Sequence, residues 1–75
     1  MTLNQVKAGE KAIISGFSRQ PSVRAKLMDL GLIPGTAITM KRSLGWSKAM
    51  QIHVRQANLI IRQSLAEDIQ VKVVK

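Results

Sequence analysis

Alternation of apolar and polar residues runs through most of this chain. Between Lys11 and Phe17, Ala12, Ile14 and Gly16 fall on one side and Ile13, Ser15 and Phe17 on the other. Between Thr36 and Ser43, Ile38, Met40 and Arg42 alternate with Ala37, Thr39 and Lys41, and between Ala49 and Arg55 Met50, Ile52 and Val54 alternate with Gln51, His53 and Arg55. A period of two is that of a strand with one buried face, so these segments predict three strands, the last two paired as a hairpin across Ser43 to Lys48. Leu59 to Arg62 predicts a brief fourth strand. Ile69, Val71 and Val73, alternating with Gln70, Lys72 and Val74, predict a fifth that closes the sheet against the first.

One stretch breaks the period. Val23, Leu27 and Leu30 recur at the spacing of one helix face, predicting a helix over Val23 to Leu30 with Ser22 as its N-cap. Two turns do not persist alone in water, so the helix must be held by packing on the strands. Gly31 follows at once, where a helix closes in the left-handed conformation, and Pro34-Gly35 suits the central positions of a type II turn. Leu3 to Glu10 is a lead-in segment ending in a turn, and Gly16 marks a bulge or a close approach of another strand. Gln56-Ala57-Asn58 reads as a turn with Asn58 in the left-handed region, and Ser64-Leu65-Ala66-Glu67 has the spacing of a capping box for a single helical turn. Together these elements predict one domain over residues 1–75, a mainly β, partly open barrel of about five strands with one short α-helix.

Charge adds a partner to this picture. Twelve Lys and Arg against four acids give a net charge of +8. Such an excess suits an anionic neighbour, whether nucleic acid, an anionic membrane leaflet or an acidic protein face, or simply a solvated surface. Arg24 and Lys26 near the helix start oppose its dipole, a placement that serves binding better than stability. The absence of cysteine suits a reducing compartment, and Lys7 and Glu10 interrupt the stretch where a signal peptide would need a continuous apolar run. No run reaches the about 20 apolar residues of a spanning helix. The expectation is a cytoplasmic protein whose basic surface also suits peripheral attraction to the anionic inner face of the cell membrane.

Catalytic and metal chemistry find little to build on. A lone His53 and the scattered carboxylates Glu10, Asp29, Glu67 and Asp68 are too dispersed for three or four ligands, although a homodimer could pair two copies of His53 across an axis. No nucleophile with a base and no phosphate-cradling glycine pattern occurs, so no enzyme activity and no cofactor is expected. Met40 and Met50 read as core fillers. Met28, one position off the helix stripe, reads as a rim residue beside Leu32. Trp46 either plugs one end of the barrel or stands out on the loop with Leu44 as a binding anchor.

The combination Leu27-x-x-Leu30-Gly31-x-x-Pro34-Gly35, Ile52-x-Val54-Arg55, Leu59-Ile60-Ile61-Arg62, then Ala66, Ile69 and Val71, resembles the ferrous iron transport protein A (FeoA) family over about Gly9 to Val73. Two turns depart from the family pattern. Gly45-Trp46-Ser47-Lys48 stands where members commonly have a Gly-Asp-Pro-like turn, and Gln56 where a Gly commonly follows the Arg. The resemblance implies an SH3-like barrel and a cytosolic accessory protein that acts with FeoB, the membrane-embedded ferrous iron transporter with a cytosolic G domain, and modulates its transport or GTP turnover. The partner surface is then Arg24, Leu27, Met28, Leu30 and Leu32 on the helix and turn, with Leu44 and Trp46 as a second patch. Leu27 and Leu30 serve the core first, leaving Met28 and Leu32 as the better contacts. Two rival readings are a non-specific nucleic-acid binder, short of aromatic platforms, and a detached module of a metal-dependent repressor, without a DNA-reading helix pair.

Overall fold

The computed structural model describes residues 1–17, 20–45 and 48–74. Five antiparallel strands form one sheet: β1 (Lys11–Phe17), β2 (Ala37–Leu44), β3 (Ala49–Val54), β4 (Ala57–Arg62) and β5 (Ile69–Val74), in the order β4-β3-β2-β1-β5. Helix α1 (Pro21–Asp29) connects β1 to β2, and one helical turn, α2 (Gln63–Ala66), connects β4 to β5. The first and last strands pair as the alternation predicts, with Ala12 opposite Val73 and Ile14 opposite Val71. Their register slips between Ile14 and Gly16, the bulge that Gly16 announces.

Strand alternation sets the core. Ala12, Ile14, Ile38, Met40, Met50, Ile52, Val54, Ile61, Ile69 and Val71 all point inward and are buried. Leu3 and Val6 of the lead-in segment, which forms no strand, join them in the core. A 3-10 turn (Leu3–Gln5) buries Leu3, and the Thr2 N–H donates to Gln5 Oε1 at 2.9 Å. The Val71 N–H donates to the Met1 carbonyl at 2.8 Å, tying this segment to β5.

Three turns differ from the sequence expectation. Pro21, not Val23, opens α1, with Gln20 in place of Ser22 as N-cap, because the first helical position has no use for the N–H that Pro lacks. The capping box at Ser64 does not form: α2 begins at Gln63 after Arg62, whose φ of −71° and ψ of 149° already place it at the cap. The β3–β4 hairpin turns on Arg55-Gln56, with φ of 51° and 68°, and not on Gln56-Ala57-Asn58. Two positive-φ residues make the turn whose twist matches the strands, and it extends the ladder so that Asn58 pairs with His53 and Ala57 with Val54.

The turn after α1 couples helix to sheet. The Thr36 N–H donates to the Ile33 carbonyl at 3.1 Å around Pro34 and Gly35, whose φ is +92°, the expected type II turn. The Gly35 N–H donates to the Ile14 carbonyl at 2.7 Å and the Ile14 N–H to the Thr36 carbonyl at 2.9 Å, which starts β2 in register with β1.

Positive φ at Gly31 and at Gln56 predicts opposite mutational signs. Gly31→Ala places a Cβ at φ +81°, 3.4 Å from Arg55 Nη1, and should cost about 1–2 kcal/mol. Gln56→Gly relieves the same strain, offset by greater unfolded-state entropy, and should gain about 0.5–1 kcal/mol. Thermal melts read both, at about 4–8 °C per kcal/mol for a domain of this size.

Candidate functional site

Helix α1 stops through its own backbone. Leu30 caps it, Gly31 takes φ +81°, the Leu32 N–H donates to the Leu27 carbonyl at 2.9 Å and the Gly31 N–H to the Met28 carbonyl at 2.9 Å. This pair of bonds is a Schellman closure, which brings the residue after the glycine back over the last helical turn. Leu27 and Leu32 form its apolar pair, and both are 0% exposed. That geometry reverses part of the expected division. Leu32 is core and not a partner contact, because the closure folds it inward. Leu27 is likewise fully covered, whereas Leu30, expected in the core, is 41% exposed at the cap.

What the closure leaves outside is an apolar ridge. Met28 is 53% exposed, as its offset from the stripe predicts, and Leu30 and Ile33 follow at 41% and 40%. Arg24 is exposed earlier on the helix. Leu44 is half-buried at the end of β2, and Trp46 lies outside the described residues, as does the choice between its plug and anchor roles.

Beside the ridge runs a cleft of about 600 Å³ between α1, β4 and α2. Val23, Leu30, Ile60 and Leu65 supply apolar lining, and Lys26, Arg62 and Asp68 supply charge. Strand β4 is the last of the sheet, and its Ile60 is 58% exposed. A concave apolar floor with charges at its margin can receive apolar side chains of another chain while fixing their orientation. Among the described residues no three His, Cys, Asp or Glu side chains converge to hold a metal ion. His53 Nδ1 instead lies 3.2 Å from Asn58 Oδ1, a cross-strand pair on the outer sheet face.

Ile33, Ile60, Lys26 and Arg62 extend the candidate surface beyond the residues named from sequence. Ile33 could have been found, since the first position of the Pro34-Gly35 turn faces away from the chain reversal it starts. Ile60 could not, because the unbroken run Leu59-Ile60-Ile61 hides which of its members faces outward.

Comparison with known proteins decides the family. The FeoA domain model matches residues 1–73. The chain belongs to the FeoA family. It is 31% identical to the FeoA-like protein from Clostridium acetobutylicum, with a TM-score of 0.91 over all of this chain and 87% of that one. It is 26% identical to an iron uptake regulatory protein (FeoA), with a TM-score of 0.88 over 99% of this chain and 96% of that one. The fold also recurs within a manganese-dependent transcriptional repressor, at 12% identity and a TM-score of 0.90, covering 97% of this chain and 40% of that one; the likeness is one of fold alone. The SH3-like architecture and the association with iron uptake thus stand, and domains of this family are accessory or regulatory rather than enzymatic. No helix among the described residues is long and apolar enough to cross a membrane.

The burial pattern separates core from surface by experiment. Leu32→Ala and Leu27→Ala should each cost about 2–5 kcal/mol in urea unfolding. Met28→Ser should stay within about 0.5 kcal/mol of the parent.

Proposed function

We propose that this chain is a cytoplasmic accessory of ferrous iron uptake that docks on the cytosolic region of a FeoB-like transporter and modulates its transport or GTP turnover by contact. One observation carries the docking face: the Schellman closure buries Leu27 and Leu32 and leaves Met28, Leu30 and Ile33 outside, next to the cleft between α1 and β4. Family membership supplies the iron-uptake setting.

Size shows how much of the surface such contact needs. A stable interface covers about 800 Å² per partner, roughly one sixth of the 4984 Å² this chain exposes. The ridge alone is too small, so ridge and cleft act together. Met28 and Leu30 serve as inserted side chains and the Val23–Ile60 side of the cleft as a receiving surface, with Lys26 and Arg62 selecting an acidic margin on the partner. The chain works by occupying a position on the transporter, and the nucleotide chemistry belongs to the transporter's G domain.

Titration of the transporter's purified cytosolic region tests this. Met28→Glu and Ile60→Glu place charge against an apolar contact and should each weaken binding at least about tenfold, equivalent to about 1.4 kcal/mol. Circular dichroism should remain that of the parent. Unchanged affinity in both folded variants removes the docking face, and no binding by the parent removes the proposed partner.

A further inference from the structure

All four acidic residues lie outside the strands, at Glu10, Asp29, Glu67 and Asp68, while the strands carry Lys11, Lys41, Arg42, Arg62 and Lys72. Register gathers part of this charge on the outer face of β5, β1 and β2. Val74 pairs with Lys11 and Lys11 with Thr39; Lys72 pairs with Ile13 and Ile13 with Ala37. Lys11 and Lys72 are exposed, Ile13 is 40% exposed and Val74 49%. The result is a checkerboard in which the two lysines occupy one diagonal and the two aliphatic side chains the other. Lys41, at the bulge between Met40 and Arg42, continues the basic surface along β2.

This arrangement has no internal stabilising purpose. Diagonal neighbours on a sheet face stand about 7–8 Å apart, close enough for two lysines to repel. Neither lysine makes an ion pair or side-chain hydrogen bond among the described residues. Glu10, the nearest acid in sequence, accepts the Lys7 N–H at 2.7 Å through Oε1 and sits on the opposite side of the alternation from Lys11. Exposed Ile13 and Val74 likewise gain nothing from water.

We propose that this outer face of β5, β1 and β2 is a docking surface for an anionic lipid bilayer, with Lys11, Lys41 and Lys72 at the headgroup charge and Ile13 and Val74 at the acyl boundary. The mixture of cations and aliphatic side chains is what distinguishes a lipid interface from a nucleic acid. Phosphate backbones reward the lysines but leave Ile13 and Val74 against polar surface, and among the described residues no aromatic side chain stands on this face to stack a base, since Phe17, opposite Ile69 after the bulge, packs against the core. The inference is independent of the transporter contact, since it concerns a different set of residues and is read on the chain alone.

Sedimentation with vesicles tests it. The parent should bind phosphatidylcholine–phosphatidylglycerol vesicles and not pure phosphatidylcholine vesicles, more weakly as salt rises. Lys11→Gln with Lys72→Gln should weaken binding by about 25-fold, each charge near the surface being worth about fivefold. Ile13→Thr with Val74→Thr should weaken it several-fold while keeping strand propensity. Arg24→Gln with Lys26→Gln, which removes the same charge from α1, should have a smaller effect than the Lys11/Lys72 pair, because charges beyond a Debye length are screened. Three results overturn the proposal: no binding to anionic vesicles, equal loss from the α1 pair and the Lys11/Lys72 pair, or binding of duplex DNA at physiological salt without binding of vesicles.

Discussion

Two backbone hydrogen bonds at the end of α1 hold this molecule's arrangement together. Leu32 to Leu27 and Gly31 to Met28 close the helix, and they require the left-handed conformation that Gly31 adopts at φ +81° without a Cβ penalty. Because the chain is turned back there, Leu32 reaches the core beside Leu27, and the next four residues form the turn that hands β2 to β1 through Ile14. A helix of this length contributes little stability of its own, so its position depends on that closure and on the burial of one leucine from each side of it. Arg55 fits against the same glycine from the β3–β4 hairpin, which places a second element over the helix end.

The same constraint defines what remains for other molecules. A short helix that buries only Leu27 fully must leave the rest of its apolar residues in partial contact with water, and the closure concentrates them between Met28 and Ile33. The sheet divides its faces differently. Inward positions are aliphatic and closed, while outward positions carry cations and all four acids lie outside the strands. A domain this small has little surface to spare for unpaired charge or exposed aliphatic side chains, and here the two occur together, at the end of α1 with its cleft and on the outer face of β5, β1 and β2.

Much of the fold was legible in the chain because period-two alternation is strong in a sheet with one buried face. Ile38, Met40, Met50, Ile52 and Val54 fall inward as their spacing requires, and Gly31 and Pro34-Gly35 act as read. The misreadings sit where local chemistry yielded to the sheet. Ser22 and Ser64 are good caps by type, yet Pro21 and the extended Arg62 fixed the helix starts first. Asn58 is a good left-handed residue by type, yet ladder pairing with His53 pushed the turn onto Arg55-Gln56. Of the candidate surface, Met28 and Arg24 were readable from helix spacing. Leu32 and Leu30 exchanged places because helix periodicity stops at the cap, where the Schellman geometry takes over. Ile60 and the cleft it lines depend on which strand ends the sheet, a property of topology that no local pattern carries.

Hydrogen–deuterium exchange of the chain with and without the transporter's cytosolic region tests the central claim, that the helix closure presents the docking face. The account predicts slowed exchange over 22–33 and 57–65 on adding the partner, with the amides of β1 and β5 unchanged. Protection confined to β1 and β5, or absent from 22–33, would contradict it.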